Sequence, residues 1–148
     1  MKTNTQVAEL LVSYSAHIMS EQKISNSRES YSLITNHWNL DTMEMLEEVK
    51  ILLLNKANRV LGIYDLSKGG ISSSIIDIKI VLSIALKTLA SGIIIVHNHP
   101  SGNLSPSKAD IDTTEKLKLA CKIMDIMLLD HLIISKEDYF SFADDGLL

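Results

Sequence analysis

The stretch Ile93-Ile94-Ile95-Val96-His97-Asn98-His99-Pro100-Ser101-Gly102-Asn103-Leu104-Ser105-Pro106-Ser107-Lys108-Ala109-Asp110 decides the fold. A four-residue apolar run reads as a buried strand. The Pro/Gly/Ser segment after it reads as a turn, and the residues from Ser105 onward read as a helix start. Strand, turn, helix is the grammar of an α/β domain. The same stretch carries chemistry. Side chains along a strand alternate, so His97 and His99 share one face while Asn98 takes the other. Asp110 falls in the first helical turn, which the chain brings back to the strand's carboxyl end. Two imidazoles and one carboxylate, with a fourth position left to water, is the ligand count of a catalytic zinc site. Zinc there would lower the pKa of its water to about 7, and a nearby carboxylate would be needed to move the proton. Ser107 lies three residues before Asp110, which predicts that both stand on one helical face.

The flanking elements extend the pattern. Asp77 is an N-cap for a helix over about 78–90, with Ile78, Val81, Leu82, Ala85 and Leu89 inward, and Gly92 ends it. After the site, Ser105 with Pro106 at the first helical position predicts a helix whose inner face is Ile111, Leu117, Ala120 and Met124. Leu128 to Ile134 is a further apolar strand, and Tyr139-Phe140-Ser141-Phe142 a last short one. Before the site, 50–54 and 59–64 read as a hairpin around Lys56-Ala57-Asn58. Asn26 to Glu29 starts a helix over about 28–38, followed by a short helix or turn carrying Met43, Met45 and Leu46. Val7 to Ser15 is a candidate edge strand. The whole is a mixed sheet flanked by helices. It divides into an N-terminal segment 1–25, expected to be partly mobile or to pack on a partner, and a domain 26–148.

The bulk numbers agree. The 148 residues suffice for one core, and 46% hydrophobic with 22% charged residues is ordinary for a globular chain. The net charge of −4 argues against a broad nucleic-acid footprint. A lone cysteine, Cys121, excludes an internal disulfide and a cysteine-rich zinc finger, and it fits a cytoplasmic location. No apolar run approaches the roughly 20 residues that cross a bilayer. The first residues lack the apolar core of a signal peptide.

His97-X-His99, seven residues, Ser107, two residues, Asp110 resembles the JAMM (MPN/JAB) metalloprotease motif position by position. His97-Asn98-His99-Pro100-Ser101-Gly102 and Asp130-His131-Leu132-Ile133-Ile134 are similar to the RadC branch of that superfamily. The resemblance runs from about residue 25 to the end. It implies an α/β sandwich like the cytidine-deaminase scaffold, Zn2+ held by His97, His99 and Asp110, and Ser107 stabilising a tetrahedral intermediate. It also implies a glutamate before an early strand as general acid/base. Glu47 fits best, with Glu44 and Glu48 as rivals and Asp65 an outside candidate. On an extended segment Glu48 faces away from Glu47.

The activity so implied is hydrolysis of a peptide or isopeptide bond in a peptide or protein substrate. Two other readings stand beside it. One is a DNA-associated repair accessory, the label RadC proteins carry; the other is a non-catalytic scaffold. The helix-hairpin-helix region of full-length RadC proteins has no counterpart in these residues, and nucleic acid is not an expected partner. A homo-oligomer formed through an edge strand or the N-terminal segment is compatible with any of these. His131 admits two readings: support behind a metal ligand, or a packed strand histidine bonded to backbone. His17 and His37 read as surface residues, Trp38 as core and Cys121 as a small buried hydrophobe. No Pro-Cys-X-X-Cys accompanies the histidines, which weighs against a deaminase. Lys68-Gly69-Gly70 reads as a turn, without the pattern of a phosphate loop.

Overall fold

The computed structural model describes residues 7–16, 21–69 and 76–148. Its elements are α1 (Ser27–Thr35), β1 (Glu48–Leu54), β2 (Val60–Lys68), α2 (Ile78–Lys87), β3 (Gly92–Asn98), α3 (Lys108–Ile123), β4 (Met127–Ile134) and β5 (Tyr139–Ser141). The five strands form one sheet in the order β2-β1-β3-β4-β5. β1 is antiparallel to β2 and β3, while β3 and β4 are parallel across the α3 crossover. This is the expected α/β architecture of a mixed sheet flanked by helices.

β3 is the centre of the molecule, and all seven of its residues are buried. A strand covered on both faces has no use for alternation, which is why it reads as an unbroken apolar run. Its two faces feed two cores. Ile93 and Ile95 join Val49, Ile51 and Leu53 of β1 beneath α2 and α3, with Val81, Ala85, Leu117 and Cys121. Ile94 and Val96 join Leu52, Leu54, Leu132 and Ile134 on the other face, with Ile34, Trp38 and Met43. Each fully buried aliphatic side chain contributes roughly 1.5–3 kcal/mol. At Gly92, the first residue of β3, a Cβ would stand 2.8 Å from Leu129 Cδ1, so any larger residue would have to displace that leucine.

Several boundaries differ from expectation, each for a local reason. α1 stops at Thr35, since His37 and Trp38 close i→i+3 turns onto Ile34 and Thr35 carbonyls. Trp38 is nonetheless buried, as expected. α2 keeps its Asp77 cap but ends at Lys87. Leu89 takes the left-handed conformation (φ 53°), with Ala90 N bonded to Ala85 O and Leu89 N to Leu86 O. That closure is a Schellman motif, and it turns Leu89 outward to 84% exposure instead of into the core. α3 ends in the same way around Asp125 (φ 53°), leaving Met124 partly exposed, while Thr114 and Cys121 take inner positions beside Leu117. Residues 7–16 form no strand and are exposed; the nearest pairing to β2 is the Lys23–Arg59 bridge. His37 lies at the surface. His17 and Gly70 of the expected turn fall outside the described residues.

Candidate metal centre

The start of α3 sets the geometry of the site. Its N-cap is Ser107, not Ser105, and Pro106 precedes the cap instead of opening the helix. Ser107 Oγ accepts from Asp110 N at 3.1 Å, and Asp110 Oδ2 accepts from Ser107 N at 2.7 Å. This reciprocal capping box satisfies two otherwise orphaned donors and outcompetes the earlier start. Ser107 therefore stands at the mouth of the helix, exposed, while Asp110 turns back toward β3. The hydroxyl proton of Ser107 is not consumed by the cap, since a hydroxyl both accepts and donates.

His97 is 1% exposed, and His99 is half-buried at the strand's end. His97 Nε2 lies 3.0 Å from His99 Nε2 and 3.4 Å from Asp110 Oδ1, and His99 Nε2 lies 3.6 Å from Asp110 Oδ2. A tetrahedral zinc with bonds of about 2.0–2.1 Å spaces its ligand atoms about 3.3 Å apart. The three donors match that spacing, and they could hold a metal ion.

The far ring nitrogens are both occupied. His99 Nδ1 donates to Asn103 O at 2.5 Å. The tight turn that delivers this carbonyl bonds Gly102 N to His99 O and requires Gly102 at φ 78°. His97 Nδ1 lies 2.8 Å from His131 Nε2. The hydrogen bond to Asp110, opposed by burial and helped by the Asn103 carbonyl, raises the His99 pKa, and the charge of Glu47 adds to the rise. Burial pushes the Asp110 carboxyl up, but the hydrogen bonds from His97 and His99, the charge of His97 and the Ser107 backbone bond outweigh it and hold it well below the ordinary carboxylate range.

The acidic candidates separate by strand parity. Val49 lies opposite His97 in the β1–β3 ladder, so the two share a face. Glu47 continues the extended run, its carbonyl accepting from Gly69 N, and two residues from Val49 puts it on that same face. Glu48 belongs to the opposite face, buried and 3.9 Å from Lys50 Nζ and 3.8 Å from Lys68 Nζ. Glu44 is exposed in an ion pair with Lys136, and Asp65 pairs with Lys50.

His131 bonds no backbone group through its ring: its nitrogens meet His97 Nδ1 and Thr114 Oγ1. The sequence reading missed Thr114. Its signal is its place four residues after Asp110, on the same side of α3. Cys121 is buried, and burial pushes its thiol up to about 11, which suits a packing role. A cavity of about 670 Å³ lies at the opposite end of β3 and β4, lined by Lys56, Ser91, Lys118, Lys122 and Met127 among others. It brings no imidazoles or paired carboxylates together, and volume alone is not a site.

The profile of the RadC-like JAB domain family matches residues 24–147. A UPF0758 protein of Flavobacterium johnsoniae is 48% identical over 101 residues, covering 68% of this chain and 44% of that protein. One from Porphyromonas gingivalis is 40% identical over 128 residues, covering 86% and 55%. One from Clostridium perfringens is 35% identical over 144 residues, covering 96% and 61%. The chain thus spans about half the length of the curated relatives it matches. Among the described residues no helix is long and apolar enough to cross a membrane.

Proposed function

This chain belongs to the RadC-like JAB domain family, and from that premise we propose that it is a metallohydrolase of the JAMM type, cleaving a peptide or isopeptide bond with an activated water. The observation that carries the reading is the convergence of His97 Nε2, His99 Nε2 and the Asp110 carboxylate, at spacings suited to zinc. The donor set of two imidazoles and one carboxylate suits zinc chemistry and leaves a fourth position open.

When bound, Zn2+ would polarise the scissile carbonyl and bring the pKa of a water to about 7. The chain's own residues would do the rest. Asp110, held ionised by its two histidine neighbours, supplies negative charge at the base of the site. Glu47, on the same face, takes the proton of the attacking water and returns it to the leaving nitrogen. Ser107, exposed at the helix mouth with its hydroxyl proton uncommitted, donates to the carbonyl oxygen as it gains charge. The substrate is a peptide or protein. The net charge of −4 offers no counterpart to a phosphate backbone.

Metal analysis of the purified protein tests the reading, followed by a screen of peptide and isopeptide substrates with and without chelator. Bound zinc and chelator-sensitive hydrolysis are expected, and both should disappear in His99→Ala. Unchanged hydrolysis by a metal-free His97→Ala protein would sink the proposal.

A further inference from the structure

Behind the candidate centre lies a second layer of buried hydrogen bonds, running from α3 through β4 to β3. Thr114 Oγ1 lies 2.6 Å from Asp110 O and 2.7 Å from His131 Nδ1. His131 Nε2 lies 2.8 Å from His97 Nδ1. Thr114 is 2% exposed, and His131 and His97 are each 1% exposed, so no water competes for these contacts. The His131 ring is also stacked on Phe142, with centroids 4.7 Å apart and planes at 10°. It has one orientation available.

The direction of every bond in this chain follows from its first member. A backbone carbonyl only accepts, so the hydroxyl proton of Thr114 goes to Asp110 O. The oxygen of Thr114 then offers a lone pair to His131 Nδ1, which must carry hydrogen. A neutral imidazole has a single N–H, so His131 Nε2 is bare. His97 Nδ1, facing that bare nitrogen, must carry hydrogen in turn. With Nδ1 committed to His131, the nitrogen His97 has left to offer a metal is Nε2, the atom facing His99 and Asp110.

We infer that Thr114 and His131 are positioning residues which hold a hydrogen on His97 Nδ1, fix its ring and so present Nε2 to the metal. For His99 the same task is done by Asn103 O. One imidazole is thus oriented by a surface turn, the other by a buried relay beginning on the helix that supplies the carboxylate. The relay ties the two sides of the site together, since Thr114 is bonded to the backbone of Asp110 itself. The role in metal binding rests on the proposed metallohydrolase reading; the tautomers do not.

Ring-nitrogen NMR of the metal-free full chain, labelled with 15N, reads the tautomers directly. His131 is expected as Nδ1–H with bare Nε2, and His97 is expected to carry hydrogen on Nδ1. An Nε2–H signal on His131 overturns the relay. Chelator-competition titration with Zn2+ then measures what the relay does. Thr114→Val keeps the shape of the side chain and removes only the hydroxyl chemistry, and it should weaken zinc binding about 10- to 100-fold. Thr114→Ser should retain wild-type affinity. Wild-type affinity in Thr114→Val overturns the positioning role. If the wild-type protein takes up no Zn2+, the metal reading falls, and the ring spectra still decide the relay by themselves.

Discussion

The two faces of β3 bury polar side chains to the same depth and use them in opposite ways. On the face toward α1, Asn98 is completely buried and every polar atom it has is spent on the chain. Its Oδ1 accepts from Glu48 N at 2.7 Å, and its Nδ2 donates to Met43 O and Leu46 O at 2.6 and 2.8 Å. Asp130 of β4, on that face too, accepts from His131 N, Ala143 N and Ser141 Oγ. Glu48 is held between lysines. On the face toward α3, His97 is just as buried, yet its Nε2, that of His99 and the Asp110 carboxylate converge on one another. Burial therefore does not separate function from structure here. What separates them is whether the fold itself consumes the donors and acceptors.

The two adjacent glutamates give the sharpest way to break that contrast. Glu47 lies on the histidine face and Glu48 on the structural one. Glu47→Gln should lower hydrolysis about 10²- to 10⁴-fold, the usual worth of a general base, with zinc content and thermal midpoint unchanged. Glu48→Gln should do the reverse: the thermal midpoint falls because buried Lys50 loses a partner, while zinc content holds. Steady-state assays and thermal melts on both proteins decide it. Equal loss of activity in the two variants would mean that face does not assign the base.

Much of this arrangement is legible in residue order. The run from Ile93 to Val96 identifies a doubly covered strand, and period-two alternation puts His97 and His99 together. The Asp77 cap and the α/β class follow from local chemistry. Three things lie beyond such reasoning. The helix ends at Leu89 and Asp125 adopt left-handed closure without glycine, so no turn residue announces them. The choice of Ser107 over Ser105 depends on the reciprocal bonds with Asp110, which a nearby Ser-Pro pair obscures. The fate of His131 depends on register between strands distant in sequence. A shift between Ile93 and Ile94 in the β3–β4 ladder sets His131 opposite Ile95 and on the side of His97. Alternation within β4 alone reveals which of its residues agree with one another, never which of them meet β3.

Asn98 tests the structural face at smaller magnitude. Its three hydrogen bonds tie the segment from Met43 to Glu48, which contains Glu47, onto the end of β3. Asn98→Ala leaves Glu48 N and two carbonyls without their partner in a buried setting. About 1–3 kcal/mol of stability should be lost per group that stays unsatisfied, although settling of the loop recovers part of it. Denaturant unfolding measures the loss. Zinc affinity of the folded variant should stay near wild type, since the Asn98 side chain bonds to Glu48, Met43 and Leu46 and its face is opposite to that of the candidate ligands. A large fall in zinc affinity without a fall in stability would put Asn98 on the functional side of the comparison.

The smallest effect expected concerns Asp130. Burial raises its pKa against three hydrogen bonds that pull it down. The sign comes from proton counting. Between the unperturbed value of 3.8 and the raised folded value, the native state holds a proton that the unfolded chain has released. Stability from this group is therefore fully present below 3.8 and is lost as pH rises through the folded pKa. Above that window the buried carboxylate remains a constant cost. Asp130→Asn removes the titration and keeps the acceptor toward His131 N and Ala143 N, while Ser141 can accept from the new amide. The variant should gain stability relative to wild type as pH rises from the acid range to neutrality, and the difference should then level off. Urea unfolding at a series of pH values gives that difference directly, and parallel curves for the two proteins would show that Asp130 is not strained by its burial. Because Asp130 neighbours His131 in sequence yet lies on the other face, the same variant should leave the ring tautomers of His97 and His131 unchanged.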